Sequence, residues 1–291
     1  MEYAVLGGGL AGLSVAYFLA KQGARITIFD DGKGGASSVP SAFLHPFVGK
    51  WHRKNHFAEE AMEASCSLID VVEQETGKAV SCKTDMICDA IESADDLWIE
   101  RTSSHVLIRG GRVVYMGNYL AALRSIIPHR SVVAPISSLD SFDVFDRVVV
   151  ALGKGTLDLL PMKGFFLVKG QMVSLAKNPF DTRLPLLSSL HLSEDAEGRF
   201  WLGSTYEHTG EEAADIGAAL RYMGPRMELM GLSVKEADTT GIFSAFRVAR
   251  SGTYLPFAEP ISEHIAVFTG LGSRGLLYSA LFGRRLAAAF G

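Results

Sequence analysis

The chain opens on Gly7-Gly8-Gly9-Leu10-Ala11-Gly12, a turn suited to receive a pyrophosphate, and reaches Asp30 at the separation a ribose requires. Gly7 permits the tight turn, Gly9 lets backbone approach phosphate, and Gly12 lets a helix pack closely on its strand. The amides of Leu10 and Ala11 then begin a helix whose positive end suits phosphate oxygens. An acid at position 30, where NADP enzymes use an arginine, points to an unphosphorylated ribose. Two further strand ends break at glycine: Gly153, and the run Gly270-Leu271-Gly272-Ser273-Arg274-Gly275. Other chemistries find no residues to carry them. The 8 histidines are scattered, the 3 cysteines form no CxxC pair, and no GxSxG nucleophile turn occurs, so no metal site is expected.

The elements that must hold these turns are legible from hydrophobic spacing. Tyr3–Leu6 and Arg25–Asp30 read as buried strands around a helix closed by Gly23. Phe57 to Gly77 is an amphipathic helix, with Ala58, Ala61, Met62, Ser65, Leu68, Ile69 and Val72 on its apolar side. Gly110-Gly111, between Val106–Ile108 and Val113–Tyr115, predicts a hairpin turn. A helix over Asn118–Ile127 and an apolar strand over Arg147–Leu152 follow. Val132 to Asp146 is too short for a three-stranded meander between them. Strands are expected over Lys169–Leu175 and Phe200–Tyr206, and a helix over Glu211–Leu229. The strand Ile265–Thr269 and an apolar helix ending at Phe290 close the chain.

Nucleotide-type elements at both ends and near residue 150, with β-rich segments between, predict an α/β fold. A discontinuous Rossmann-like dinucleotide-binding domain would span 1–78, 117–160 and 247–291, and its insertions, 79–116 and 161–246, would form a β-rich α+β substrate domain. The composition agrees with a folded globular chain: 48% of the 291 residues are hydrophobic and 21% charged. Its net charge of −4 gives no global attraction to nucleic acid or acidic lipid. Few cysteines, an acid ahead of the Leu6–Ala20 run and no 18-residue apolar stretch predict a cytoplasmic protein without a membrane partner. With 30 glycines the chain exceeds the usual ~7%, which suggests many close turns.

The opening turn, the strand Val148-Val149-Val150-Ala151-Leu152-Gly153 and the block Gly270 to Leu276 resemble the D-amino-acid oxidase and glycine oxidase superfamily of FAD enzymes. Gly35-Ala36-Ser37, Leu44 with Pro46, Gly170-Gln171, Leu202-Gly203-Ser204-Thr205-Tyr206 and Phe246-Arg247-Val248-Ala249-Arg250 add a finer likeness. They are similar to the FAD-dependent oxidase domain of the bifunctional tRNA 5-methylaminomethyl-2-thiouridine biosynthesis proteins. That resemblance implies an amine oxidase that cleaves a C–N bond beside a carboxylate by hydride transfer to flavin. Its substrate would be carboxymethylaminomethyl-uridine in tRNA, a wobble modification, with oxygen as electron acceptor and a separate methyltransferase as a partner. The same chemistry on free glycine, sarcosine or another small amino acid is the alternative, and a flavin-binding protein without catalysis is a second.

The resemblance also assigns residues. Arg274, Arg247 and Arg250 become candidates for the substrate carboxylate, which a guanidinium fork matches and lysine does not. Tyr206 would donate its hydroxyl to the same group. Gly7, Gly9, Leu10, Ala11, Gly12, Asp30, Ser37 and Gly153 would hold the cofactor, with Gly270, Gly272, Ser273 and Gly275 at the flavin ring. No cysteine lies in that last segment, so the FAD is expected to be non-covalent. Lys50, Arg53 and Lys54, with His52 and His56, form a basic cluster that would meet tRNA phosphates.

Overall fold

The computed structural model describes residues 1–48, 53–88, 97–103, 105–180, 182–208 and 213–291. β1 (Glu2–Leu6), α1 (Leu10–Lys21) and β2 (Arg25–Asp30) come first, followed by β3 (Ser41–Leu44), β4 (Phe47–Val48), β5 (Arg53–Lys54) and α2 (Ala58–Thr76). β6 (Ser81–Cys88), β7 (Ile99–Arg101), β8 (Val106–Tyr115), α3 (Met116–Ile126), β9 (His129–Val133), β10 (Arg147–Val150) and α4 (Lys154–Leu159) follow. The next group is β11 (Phe165–Leu175), β12 (Leu186–Leu187), β13 (His191–Glu194), β14 (Phe200–Gly203), α5 (Ile216–Leu229) and β15 (Thr239–Arg250). β16 (Phe257–Pro260), β17 (Ile265–Thr269) and α6 (Gly275–Phe290) complete the chain.

Two large sheets organise these elements. The first has the order β16-β17-β10-β1-β2-β9, parallel except for the β16 edge. Parallel strands are covered on both faces, which explains why β1 and β10 read as unbroken apolar runs. One face meets α1, α2, α3 and α6, where Leu13, Ile69, Leu123 and Leu281 are buried with Tyr3 and Val5. The other packs Ala4, Leu6, Val148 and Val267 against Phe142. Between β9 and β10 only a single 3-10 turn, Asp140–Phe142, intervenes, as the short 132–146 segment led one to expect. The second sheet runs β15-β11-β14-β13-β12-β6-β8-β3, with β7 also on β8. Its longest pairing, β11 with β15, joins Phe165↔Arg250 through to Leu175↔Thr239. The architecture is the expected α/β fold, a Rossmann-like parallel sheet beside a β-rich one.

The α2 helix buries the whole predicted apolar face, from Ala58 to Val72, and ends at Gly77 with φ +66. The predicted hairpin is corrected. β8 runs through Gly110-Gly111 as one strand, and its partner β6 shifts register between Thr84 and Met86. The glycines serve an irregularity rather than a reversal: a Cβ on Gly111 would lie 2.9 Å from the Met86 methyl. β14 stops at Gly203, short of Tyr206, because the chain leaves β13 there and crosses to Gln171. The α5 helix starts at Ile216, where the Asp215 side chain accepts the Ala218 amide at 2.9 Å. Residues 211 and 212 of its expected first turn lie outside the described residues.

Candidate flavin and substrate site

The nucleotide turn has the crowding its glycines imply. Gly7 takes φ +110, and a Cβ there would overlap the Ala151 carbonyl. A Cβ on Gly12 would overlap the Gly7 carbonyl oxygen, so only hydrogen fits where helix meets turn. Gly9 caps α1, and Ser37 closes over it: its Oγ accepts the Leu10 amide at 3.1 Å and would lie 2.9 Å from a Gly9 Cβ. The Ala36–Ser38 3-10 turn thereby places Ser37 at the first turn of α1, beside Leu10 and Ala11. Asp30 is half-buried at the end of β2, where Oδ2 accepts the Gly8 amide at 2.5 Å and Oδ1 the Gly32 amide at 2.8 Å. Arg124 of α3 also reaches this turn, donating to the Gly8 carbonyl at 3.5 Å. An arginine therefore does stand at the acid, supplied by a helix that local spacing does not connect to it.

The other glycines converge from the far end of the chain. Gly275 opens α6, and its Cβ would meet Leu10 Cδ1 at 3.3 Å, so the N-termini of α6 and α1 abut. Gly270 has φ +76 and no room beside the Phe165 ring, at 2.9 Å from a Cβ. Gly272 donates its amide to the Val248 carbonyl at 2.8 Å, tying this turn to β15. Ser273 is exposed, and Gly153, with φ +59, caps the short α4 after β10.

Arg247 lies on β15 opposite Val168. Its Nη2 donates to the Thr205 carbonyl at 3.3 Å, and its guanidinium stands 5.6 Å from the Tyr206 ring centre. Burial pushes its pKa below the ordinary arginine value, partly offset by Tyr206, and no carboxylate pairs with it among the described residues. A guanidinium so placed suits an incoming carboxylate. Tyr206 itself is 41% exposed, with His208 edge-on to its ring at 5.2 Å. Arg250, three residues on, falls on the opposite side of the sheet, over the rings of Phe165 and Phe257. The structure thus joins Arg247 with Tyr206 and leaves Arg250 apart from them.

Arg274 caps α6 and is held from two sides. Nη1 donates to Asn55 Oδ1 at 3.3 Å, and its guanidinium is 5.5 Å from the Tyr254 ring centre, on a residue with φ +52. Asn55 is buried, its backbone and side-chain N–H groups both on the Pro46 carbonyl at 2.9 and 3.0 Å. The Tyr278 hydroxyl donates to Asn55 at 3.4 Å and to the His56 carbonyl at 2.9 Å; burial raises its pKa against the influence of Arg274.

Spacing also left a buried network under Tyr206 unseen. Gln171 Nε2 and Thr205 Oγ1 both donate to Glu207 Oε1, at 3.0 and 2.5 Å, while Gln171 Oε1 accepts the Asp215 amide at 3.1 Å. Elsewhere on β11 and β15 an open, apolar hollow of about 750 Å³ is lined by Phe165, Phe166, Leu167, Phe246, Leu157, Lys154 and His208. Phe165 and Phe246 belong to the face of the ladder that carries Arg250, and neither Arg247, Tyr206 nor Arg274 lines it. None of the nucleotide-turn residues lines it. Of the basic cluster, Lys50 and His52 lie outside the described residues; Arg53 and Lys54 are exposed on β5, and Lys54 pairs with Glu59. Among the described residues no cluster of three His, Cys, Asp or Glu could hold a metal, and no helix is long and apolar enough to cross a membrane.

With this geometry in place, the comparison with protein families is decisive: the model of the DAO family, FAD dependent oxidoreductase, matches residues 2–105 and 120–289. The chain belongs to the DAO family of FAD-dependent oxidoreductases. Its cofactor is FAD, and the turn fits that group, since Gly7 and Gly12, where any Cβ would overlap neighbouring backbone, let α1 start tight against the strand and turn that receive a dinucleotide. Glycine oxidase from Geobacillus kaustophilus is similar in structure, with TM-score 0.78 and 19% identity over 99% of this chain and 94% of that one. Glycine oxidase from Bacillus cereus ATCC 14579 gives 0.75 and 18% over 99% and 96%. Iminodiacetate oxidase from Chelativorans sp. BNC1 gives 0.76 and 17% over 99% and 95%. A search of curated proteins found no match.

Proposed function

We propose that this DAO-family protein is an amine oxidase that cleaves a C–N bond beside a carboxylate, and that its substrate is carboxymethylaminomethyl-uridine in tRNA. The observation that carries the first half is Arg247, a half-buried guanidinium beside Tyr206 with no carboxylate partner among the described residues. Removing a guanidinium from water is costly unless an anion meets it, and a substrate carboxylate would do so through two parallel hydrogen bonds. FAD, when bound, would supply the hydride acceptor, with oxygen as the final oxidant. The chain's own residues would hold the carboxylate at Arg247 and Arg274, present the neutral amine, and keep water from the reacting carbon. Hydride leaves the carboxymethyl carbon, the resulting imine takes up water, and glyoxylate departs from the aminomethyl-uridine.

The tRNA half rests on the likeness of Gly170-Gln171, Leu202–Tyr206 and Phe246–Arg250 to the oxidase domain of the tRNA-modifying proteins. An open apolar hollow joined to Tyr206 through His208 offers phenylalanine rings on which a pyrimidine could stack. The reading entails a cytoplasmic enzyme whose exposed Arg53, together with Lys50 and Lys54, meets tRNA phosphates, and whose product a separate methyltransferase can consume. A second reading, oxidation of free glycine or sarcosine, draws on the similarity to solved glycine oxidases. Nucleoside digests separate the two. Incubation of the holoenzyme with modified tRNA should convert the carboxymethylaminomethyl nucleoside to the aminomethyl one with equimolar glyoxylate; an unchanged digest from an enzyme that oxidises sarcosine would refute the tRNA reading.

A further inference from the structure

Arg124 sits in the last turn of α3, outside every motif that marks the nucleotide turn, yet its guanidinium lies over that turn. Its Nη2 donates to the Gly8 carbonyl at 3.5 Å. A Cβ added to Gly8 would overlap the same Nη2 and stand 2.7 Å from Asp30 Oδ2. Arginine and aspartate thus border one small space at the Gly8 α-carbon. They do so without forming an ion pair, and Arg124 has no carboxylate partner among the described residues. Asp30 instead spends its oxygens on the amides of Gly8 and Gly32.

The charges around this space are unbalanced in a telling way. A dinucleotide brings two negative phosphates to a turn that already holds the Asp30 carboxylate. The α1 N-terminus offers about half a unit of positive charge. A half-buried guanidinium over the turn adds a full one, on a planar fork able to take a phosphate oxygen and a ribose hydroxyl together.

We propose that Arg124 is a cofactor-binding residue that engages the adenylate half of FAD, at its ribose and adjoining phosphate. The inference rests on the FAD turn alone and is independent of which amine is oxidised. α3 thereby has a binding role beyond packing its Ala122 and Leu123 into the core.

The test is calorimetric titration of the apoprotein with FAD, ADP and FMN, for wild type and Arg124→Met, which keeps an unbranched side chain for packing. The expected result is a roughly tenfold to hundredfold weaker Kd for FAD and for ADP, the scale of a lost charge-assisted contact, with FMN affinity unchanged. Wild-type affinity for FAD in Arg124→Met would overturn the proposal. So would an equal loss for FAD and FMN together with a lower apoprotein Tm, which marks a structural residue. Arg124→Lys supplies the same comparison should the methionine variant not fold, with an intermediate loss confined to FAD and ADP.

Discussion

Gly170 of β11 and Arg247 of β15 approach so closely that a Cβ on Gly170 would lie 2.8 Å from the Arg247 Nη2. The glycine is there for space rather than for backbone conformation: it pairs with Ala245 inside a regular ladder, and the missing side chain leaves the guanidinium its position under Tyr206. Gly170→Ala should displace Arg247 while leaving the nucleotide turn untouched. We expect KM for a carboxylate-bearing amine to rise about tenfold or more, with flavin content at the wild-type level. Steady-state kinetics beside the flavin-to-protein absorbance ratio checks this, and an unchanged KM would show that the methyl is accommodated.

Arg247 makes an opposite pair of predictions for binding and stability. Arg247→Met removes the fork, and kcat/KM should fall about a hundredfold or more. The same change removes a partly desolvated cation that no carboxylate compensates, so the apoprotein should keep its Tm or gain about 2–4 °C. Calorimetric melting of both apoproteins decides it; a large loss of Tm would mean that the Thr205 contact matters more to folding than to substrate.

Asn55 acts on Arg274 as a positioning residue. Asn55→Leu deletes the acceptor at 3.3 Å but leaves Tyr278 its bond to the His56 carbonyl. Arg274 would then be held by the Tyr254 ring alone, and KM should rise severalfold with little change in kcat. A fall in kcat at constant KM would contradict a positioning role.

Acid stability should depend on Asp195. Burial opposes its ionisation, but Trp201 Nε1 at 2.7 Å, Arg199 Nε at 2.8 Å and the amides of Glu197 and Arg199 outweigh it and hold the carboxyl below its usual range. A depressed folded pKa means the ionised form is the one folding prefers. The stabilisation is therefore present above the unfolded value, about 3.9, and is lost as pH falls through the folded pKa. Asp195→Asn should be less stable at pH 7 and show a shallower loss toward acid. Urea unfolding across that range measures both, and parallel pH profiles would remove Asp195 from the account.

How much of this could be seen beforehand depends on how local each feature is. The nucleotide turn was legible because strand, glycines, helix and acid lie within one continuous segment, each with its own steric role. Buried parallel strands such as β10 declared themselves by unbroken apolar runs. Gly110-Gly111 misleads because a glycine pair fits a turn and a strand irregularity equally; only the neighbour β6, which pairs with β8 on both sides of it, decides between them. Arg250 shares a motif with Arg247, but three residues along a strand reverse the face, which the motif alone does not display. Arg124, Asn55 and the Gln171–Glu207 network were illegible because each acts on a residue from a distant element. Gln171 and Thr205 stand within recognisable motifs, but their meeting at Glu207 is marked by neither segment.

The central claim, oxidation of a carboxymethyl amine carried by tRNA, is tested most directly by anaerobic titration of the yellow holoenzyme. Carboxymethylaminomethyl-uridine tRNA should bleach the flavin band at one equivalent per active site, and air should restore it. Bleaching by glycine or sarcosine but never by the tRNA, or by no amine at all, would contradict it.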